Sequence, residues 1–161
     1  MTLGLEPNAP ATSVVPPVGL VVEEANTPDR IAEIARFAVG SLGDESPGGS
    51  TFAATLQRLA TEEPPRLRLF GGWADHRLVS TSGLFTGAGV AGIIAVATHP
   101  DWRGRGFGRA LTAAAIEAGR QAGFDTASLM ASDMGQPVYR RLGFEEVGRV
   151  RFLRWPGAGP G

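Results

Sequence analysis

The stretch Arg103-Gly104-Arg105-Gly106-Phe107-Gly108-Arg109 holds three arginines and three glycines in seven residues. Together they offer what an oxyanion binds: cationic side chains, and a backbone free to curl around the anion and present its N–H groups. The stretch lies between an apolar run, Val90 to Thr98, and an amphipathic pattern that starts at Gly106. Its amides therefore fall at a helix start, where N–H groups lack partners and the helix dipole is positive. The chemistry this suits is phosphate binding, although a glycine-rich turn with solvent-facing arginines would share the composition. Tyr139, the only tyrosine, could give up a phenolic proton, and His99, one of two histidines, could exchange one near neutral pH. Asp44 and Glu45 could attract a cationic amine, although two such acids also read as plain solvated surface.

Other phosphate-binding and catalytic classes fail on composition or spacing. All 15 basic residues are arginine, which excludes a Walker A lysine, a kinase lysine and a Schiff-base lysine. A dinucleotide fingerprint needs a glycine where Arg109 stands and a parallel βαβ unit around it. Without cysteine there is no thiol nucleophile, disulfide or thiolate metal site, and no metal is expected. The 15 basic and 16 acidic residues leave a net charge of −1, so no overall field recruits nucleic acid or an anionic membrane. No apolar run approaches the roughly 18 residues of a membrane span, and no signal-sequence pattern opens the chain. The expected location is cytoplasmic.

The elements that must position these residues follow from periodicity and turn chemistry. Residues 1–18, with Pro7, Pro10, Pro16 and Pro17, are expected to be a flexible tail, as are residues 156–161. Between them, residues 19–155 are expected to form a single domain, long and apolar enough to bury a core. Leu20–Glu24 reads as a strand, and Thr27 with Pro28 as the cap and first residue of a helix carrying Ile31, Ile34, Ala35, Ala38 and Leu42. Gly43 to Ser50 reads as a loop, followed by a shorter helix through Phe52, Leu56 and Leu59 that Pro64 and Pro65 end. Arg66–Trp73, Arg77–Thr86 and Val90–Thr98 form an antiparallel meander on short turns. The first alternates, with Leu67 and Leu69 on one face and Arg66, Arg68 and Phe70 on the other. A helix from Gly106 to Gln121, a strand Thr126–Ala131, a short helix Gln136–Leu142 and a last strand Glu145–Leu153 complete the order β-α-α-β-β-β-α-β-α-β, an α/β fold with a mixed sheet.

Arg103-x-x-Gly106-x-Gly108 fits the pattern Arg/Gln-x-x-Gly-x-Gly/Ala, and in this the chain resembles the GNAT superfamily of acetyl-CoA-dependent N-acetyltransferases. Val96-Ala97-Thr98-His99-Pro100-Asp101-Trp102 resembles that family's central strand and the turn after it. Ala131 to Phe144, ending Tyr139-x-x-x-Gly143-Phe144, resembles its second cofactor motif. The resemblance covers roughly Val90 to Leu153 and implies a mostly antiparallel sheet flanked by helices. It implies acetyl-CoA as co-substrate, its pantetheine arm on the backbone of Val96, Ala97 and Thr98. Its pyrophosphate would lie on the amides of Arg103, Gly104, Arg105, Gly106, Phe107 and Gly108, with Arg109 beside them. Ser132 stands where the family often has an asparagine touching the cofactor arm, and Tyr139 where a phenol can protonate the CoA sulfur.

The reaction implied is transfer of an acetyl group to a primary amine, on a small molecule or a peptide, by direct attack in a ternary complex. The strand Val90–Ala97 carries no carboxylate to serve as general base, so His99 or a relayed water is left for that role. That gap favours the alternative of a non-catalytic acyl-CoA-binding sensor or interaction domain. Residues 1–100 carry 6 arginines and 10 acids, whereas residues 101–161 carry 9 and 6. A basic cofactor half, to which Arg140, Arg141, Arg149, Arg151 and Arg154 contribute, suits a phosphate-rich ligand. A homodimer is allowed by the sequence and not specified by it.

Overall fold

The computed structural model describes residues 1–5, 14–41 and 47–151. Its strands are β1 (Thr2–Gly4), β2 (Val21–Glu24), β3 (Leu67–Ala74), β4 (Arg77–Gly87), β5 (Val90–Thr98) and β6 (Thr126–Leu129); its helices are α1 (Pro28–Ser41), α2 (Pro47–Thr61), α3 (Phe107–Gln121) and α4 (Gln136–Arg141). The six strands form one sheet in the order β1-β6-β5-β4-β3-β2. Every pairing is antiparallel except β5 with β6.

Each face of the sheet has its own apolar cluster, as strand alternation requires. Leu67, Leu69 and Trp73 meet Ile31, Ile34, Ala35 and Ala38 of α1 and Leu56 of α2. Phe70, Val79, Leu84, Ala91 and Ile93 meet Leu111, Ala115 and Ile116 of α3 and Tyr139 of α4. The division of β3 into two faces is the one its alternation predicts. Thr27 caps α1, accepting the Arg30 N–H at 3.3 Å. α2 begins at Pro47, three residues before the expected loop ends, with proline at the helical start where its missing N–H costs nothing.

The two ends of the sequence depart from expectation. Thr2–Gly4 is not part of a flexible tail but a strand, with Thr2 opposite Ser128 and Gly4 opposite Thr126. The reason is a period of two: Met1, Leu3 and Leu5 all pack on the core of the α3 face, and Leu5 is 1% exposed. The expected strand Glu145–Leu153 is absent over 145–151, where only Glu145 bridges to Thr2; residues 152–153 lie outside the described residues, as does the expected tail 156–161. The place beside β6 is filled once. β1 packs Leu3 against the core there and the adjoining Leu5 is buried, whereas Val147 and Val150 remain 69% and 62% exposed. Glu146 further draws the segment back toward α4, accepting from Gln136 Nε2 (3.1 Å), Arg140 Nη2 (3.2 Å) and Arg149 Nε (2.9 Å).

Candidate functional site

The site grows out of an irregularity in β5. Thr81 of β4 faces Ala97, but Gly83 faces Ile94, so Ala95 and Val96 together oppose the single residue Ser82. This is a bulge, and Ala95 takes a left-handed φ of +52° to make it. On its other side β5 pairs with β6 only through Ala91, Gly92 and Ile93. Beyond Leu129 the chain leaves the sheet, and Ile94 to Thr98 keep no strand partner on that side among the described residues. His99 N–H donates to Val79 O at 2.9 Å, making Thr98 and Ser80 a non-hydrogen-bonded pair. The N–H and C=O of Thr98 are thereby directed away from β4, toward the side from which β6 has parted.

The glycine-rich loop continues from this opened strand end. A single turn of 3-10 helix, Pro100–Trp102, is closed by Trp102 N–H to His99 O and Arg103 N–H to Pro100 O. Gly104 and Gly106 then adopt φ of +74° and +82°, the left-handed region that side chains resist. Gly106 is the N-cap of α3 and has no side chain to cap it. Ala110 is the first residue to bond back, its N–H reaching Gly106 O at 3.0 Å. The amides of Phe107, Gly108 and Arg109 are therefore the orphan donors of the helix start, at the positive end of its dipole. A Cβ on Gly108 would sit 3.3 Å from Thr98 Oγ1, so strand end and helix start are in contact.

The side chains of this loop divide by task. Phe107 is in the core, stacked on Trp102 with ring centroids 5.6 Å apart, and offers a ligand only its amide. Arg103 Nε donates to Thr98 O at 3.1 Å. Arg105 lies over Trp102 and donates to Asp101 O at 3.2 Å. Arg109 is exposed. The expected arginine surplus farther on is smaller than its count, because Arg140 and Arg149 share Glu146, whose carboxyl they hold below the usual range.

Across the opening, Tyr139 packs edge-on against Phe144 and over Gly135, where a Cβ would lie 2.9 Å from the ring's Cε2. Burial raises the phenol pKa, so Tyr139 keeps its proton through the neutral range, the form an acid requires. Ser132 is exposed, and its Oγ accepts the Gly135 N–H at 3.2 Å; it shapes the turn before α4 while retaining a hydroxyl proton to donate. His99 Nδ1 faces its own turn, 3.4 Å from the Asp101 N–H and 3.7 Å from Asp101 Oδ2. Asp44 and Glu45 lie outside the described residues. The structure thus groups Thr98, Arg103 and Gly108 on one side and Ser132, Gly135 and Tyr139 on the other, flanking the point where β5 and β6 part. Among the described residues no three metal-ligating side chains converge, and no helix is long and apolar enough to cross a membrane.

Sequence reasoning missed the buried run Ser80-Thr81-Ser82 beside the bulge, because hydroxyls in a strand read as a solvent face. It missed Pro17 as well, whose Cγ comes within 3.4 Å of where a Gly106 Cβ would be. A left-handed alanine at 95 carries no sequence signal, since glycine or asparagine is the residue expected there.

Comparison with known proteins bears on the fold and the family. No curated protein matches the chain. Among solved structures, a predicted acetyltransferase with acetyl-CoA from Clostridium acetobutylicum superposes with a TM-score of 0.69 at 15% identity, over 84% of this chain and 96% of that one. Aminoglycoside N-acetyltransferase AAC(6')-Iy in complex with CoA gives 0.67 at 22% identity, over 85% and 95%; it is also solved with a bisubstrate analogue, CoA-S-monomethyl-acetylneamine. Glucosamine-6-phosphate N-acetyltransferase from Arabidopsis thaliana gives 0.63 at 11%, over 85% and 98%. These likenesses establish the fold. The acetyltransferase (GNAT) family model matches residues 33–144, which take in most of α1, all of α2, the meander, the glycine-rich loop and the Tyr139 motif. With that span matched, the chain belongs to the GNAT family of acetyltransferases.

Proposed function

We propose that the protein transfers the acetyl group of acetyl-CoA to a primary amine on a small molecule or peptide, by direct attack within a ternary complex. One observation carries the reading: the end of β5 beyond its pairing with β6, where the Thr98 N–H faces the opening and the Thr98 C=O accepts from Arg103 Nε, runs directly into an uncapped helix start whose loop holds left-handed Gly104 and Gly106. The first part suits the amides of a pantetheine arm, which can dock like an added strand. The second suits a pyrophosphate held by the amides from Gly104 to Gly108, the Arg103 amide being committed to Pro100 O, with the Arg109 charge beside it. Val96 continues the strand edge, whereas Ala97 O is turned to β4, where it accepts from Ser80 Oγ, and Ser132 offers a hydroxyl from across the opening.

In the proposed reaction the neutral amine nitrogen attacks the thioester carbonyl carbon, the carbon–sulfur bond breaks, and the amine loses a proton as the thiolate gains one. Tyr139, buried and protonated, is the group suited to give that proton to sulfur. Because a thiol with pKa about 8.5 leaves fairly well unaided, loss of this acid slows transfer without abolishing it. No carboxylate stands on β5, and His99 Nδ1 is turned to Asp101, so a water on backbone carbonyls is the base this reading favours. The missing carboxylate also favours a second reading, an acyl-CoA-binding sensor without an acceptor. Free CoA release from acetyl-CoA across an amine panel, beside a thermal-shift titration, decides between them. Turnover on an amine supports the transferase; stabilisation without turnover supports the sensor; neither response overturns both.

A further inference from the structure

β4 carries three successive residues with hydroxyl side chains, Ser80, Thr81 and Ser82, all 0% exposed. A buried hydroxyl is costly unless it is hydrogen-bonded, and two of the three are bonded in a way that bears on β5. Thr81 Oγ1 donates to Ala95 O at 2.9 Å, and Ser80 Oγ donates to Ala97 O at 2.9 Å. The two carbonyls lie on either side of Val96, within the stretch where the register slips. Alternation puts the two hydroxyls on opposite faces of the sheet, Thr81 opposite Gly71 and Ser80 opposite Gly72. The bulge is thus held from both faces. A left-handed alanine at its centre is strained, and such strain persists only where neighbouring contacts over-determine it.

Ser80 also reaches the loop. Its proton is committed to Ala97 O, so the Thr98 hydroxyl, 2.9 Å away, donates to Ser80 Oγ. That bond fixes the Thr98 rotamer with Oγ1 against Gly108 at the start of α3, while Thr98 O holds the Arg103 guanidinium at the start of the loop. Both ends of the glycine-rich stretch are therefore referenced to Thr98, and Thr98 to Ser80.

We infer that Ser80 and Thr81 are positioning residues for the acetyl-CoA site: Thr81 sets the bulge that aims the strand edge, and Ser80 sets Thr98 and through it the pyrophosphate loop. This rests on the acetyl-CoA reading above. Ser82 supplies an internal control, since it is adjacent, equally buried, and its Oγ has no hydrogen-bond partner among the described residues. The test is calorimetric titration of acetyl-CoA into the full chain and into Ser80→Ala, Thr81→Val, Thr81→Ser and Ser82→Ala, with a melting temperature for each. Ser80→Ala and Thr81→Val are expected to raise the acetyl-CoA Kd about tenfold, equivalent to ~1.4 kcal/mol. Thr81→Ser, which keeps the hydroxyl, restores wild-type affinity, and Ser82→Ala leaves affinity unchanged. Wild-type affinity in Ser80→Ala and Thr81→Val overturns the inference, and so does an equal loss in Ser82→Ala, which would assign the effect to loosened packing. Wild-type protein that does not bind acetyl-CoA overturns the underlying reading instead.

Discussion

The two faces of the sheet use different parts of the polypeptide. On the α3 face the groups that can meet a ligand are mainly backbone: Thr98 at the opened strand edge and the amides that follow Gly106. On the α1 face side chains dominate. The Trp73 ring covers Gly71 and fills the place of a Cβ there, Arg30 stacks on Trp73 at 4.7 Å, and the indole Nε1 has no hydrogen-bond partner among the described residues. Backbone sites need particular conformations, and conformations leave glycines at fixed spacings. A side-chain site needs only shape and polarity, which many sequences supply, so it leaves no motif.

The largest test of this contrast is to weaken each face at its core. Leu111→Ala (0% exposed) and Leu56→Ala (1%) should each cost about 2–5 kcal/mol in urea unfolding, since both leave a cavity. Only Leu111→Ala should also weaken acetyl-CoA binding, because it alone loosens the helix whose first turn holds the loop. Equal loss of affinity in Leu56→Ala would erase the distinction.

Glycines give the next test. Gly106→Ala must hold a left-handed φ, a strain of roughly 1–2 kcal/mol, and puts its Cβ against Pro17; acetyl-CoA affinity should drop about tenfold. The same change at Gly40, in the last turn of α1 with none of the described residues within 4 Å of its Cβ, should stabilise the protein by up to ~1 kcal/mol and leave acetyl-CoA binding alone. Opposite signs in melting temperature check the pair.

Tyr139→Phe separates proton transfer from binding on the α3 face. Turnover on an accepted amine should fall at least about tenfold, with the acetyl-CoA Kd unchanged. The smallest effect is on alkaline stability. Burial raises the folded-state pKa of Tyr139, so the unfolded chain ionises first, near pH ~10. Folded stability is unaffected by this group below that pH and is lost as pH climbs through and beyond it. Tyr139→Phe should show a correspondingly flatter alkaline limb in urea melts recorded from pH 8 upward.

The same contrast explains what could be read in advance. Thr27-Pro28 announces α1 because a cap and a first-turn proline are local devices, and Leu67/Leu69 against Phe70 announces the faces of β3 because alternation is local too. The loop from Arg103 was legible for the same reason. Met1, Leu3 and Leu5 alternate as well, but three core-facing residues among small residues and prolines are too few to outweigh a tail-like composition. Only the vacant outer side of β6 selects them over Glu145–Arg151. The Ser80-Thr81 clamp was hidden because its partners, Ala95 O and Ala97 O, are carbonyls common to every residue type.

β1 also sets an order of events during synthesis. Met1 donates from its amine to Leu129 O at 2.8 Å, across 128 positions of sequence. At about 5–20 residues per second, a ribosome takes roughly 6–25 s to reach that partner once residue 1 has been added. Throughout that interval Leu3 and Leu5 have no slot to enter, and the sheet lacks one edge. Completion of this sheet edge is thus deferred until β6 has emerged.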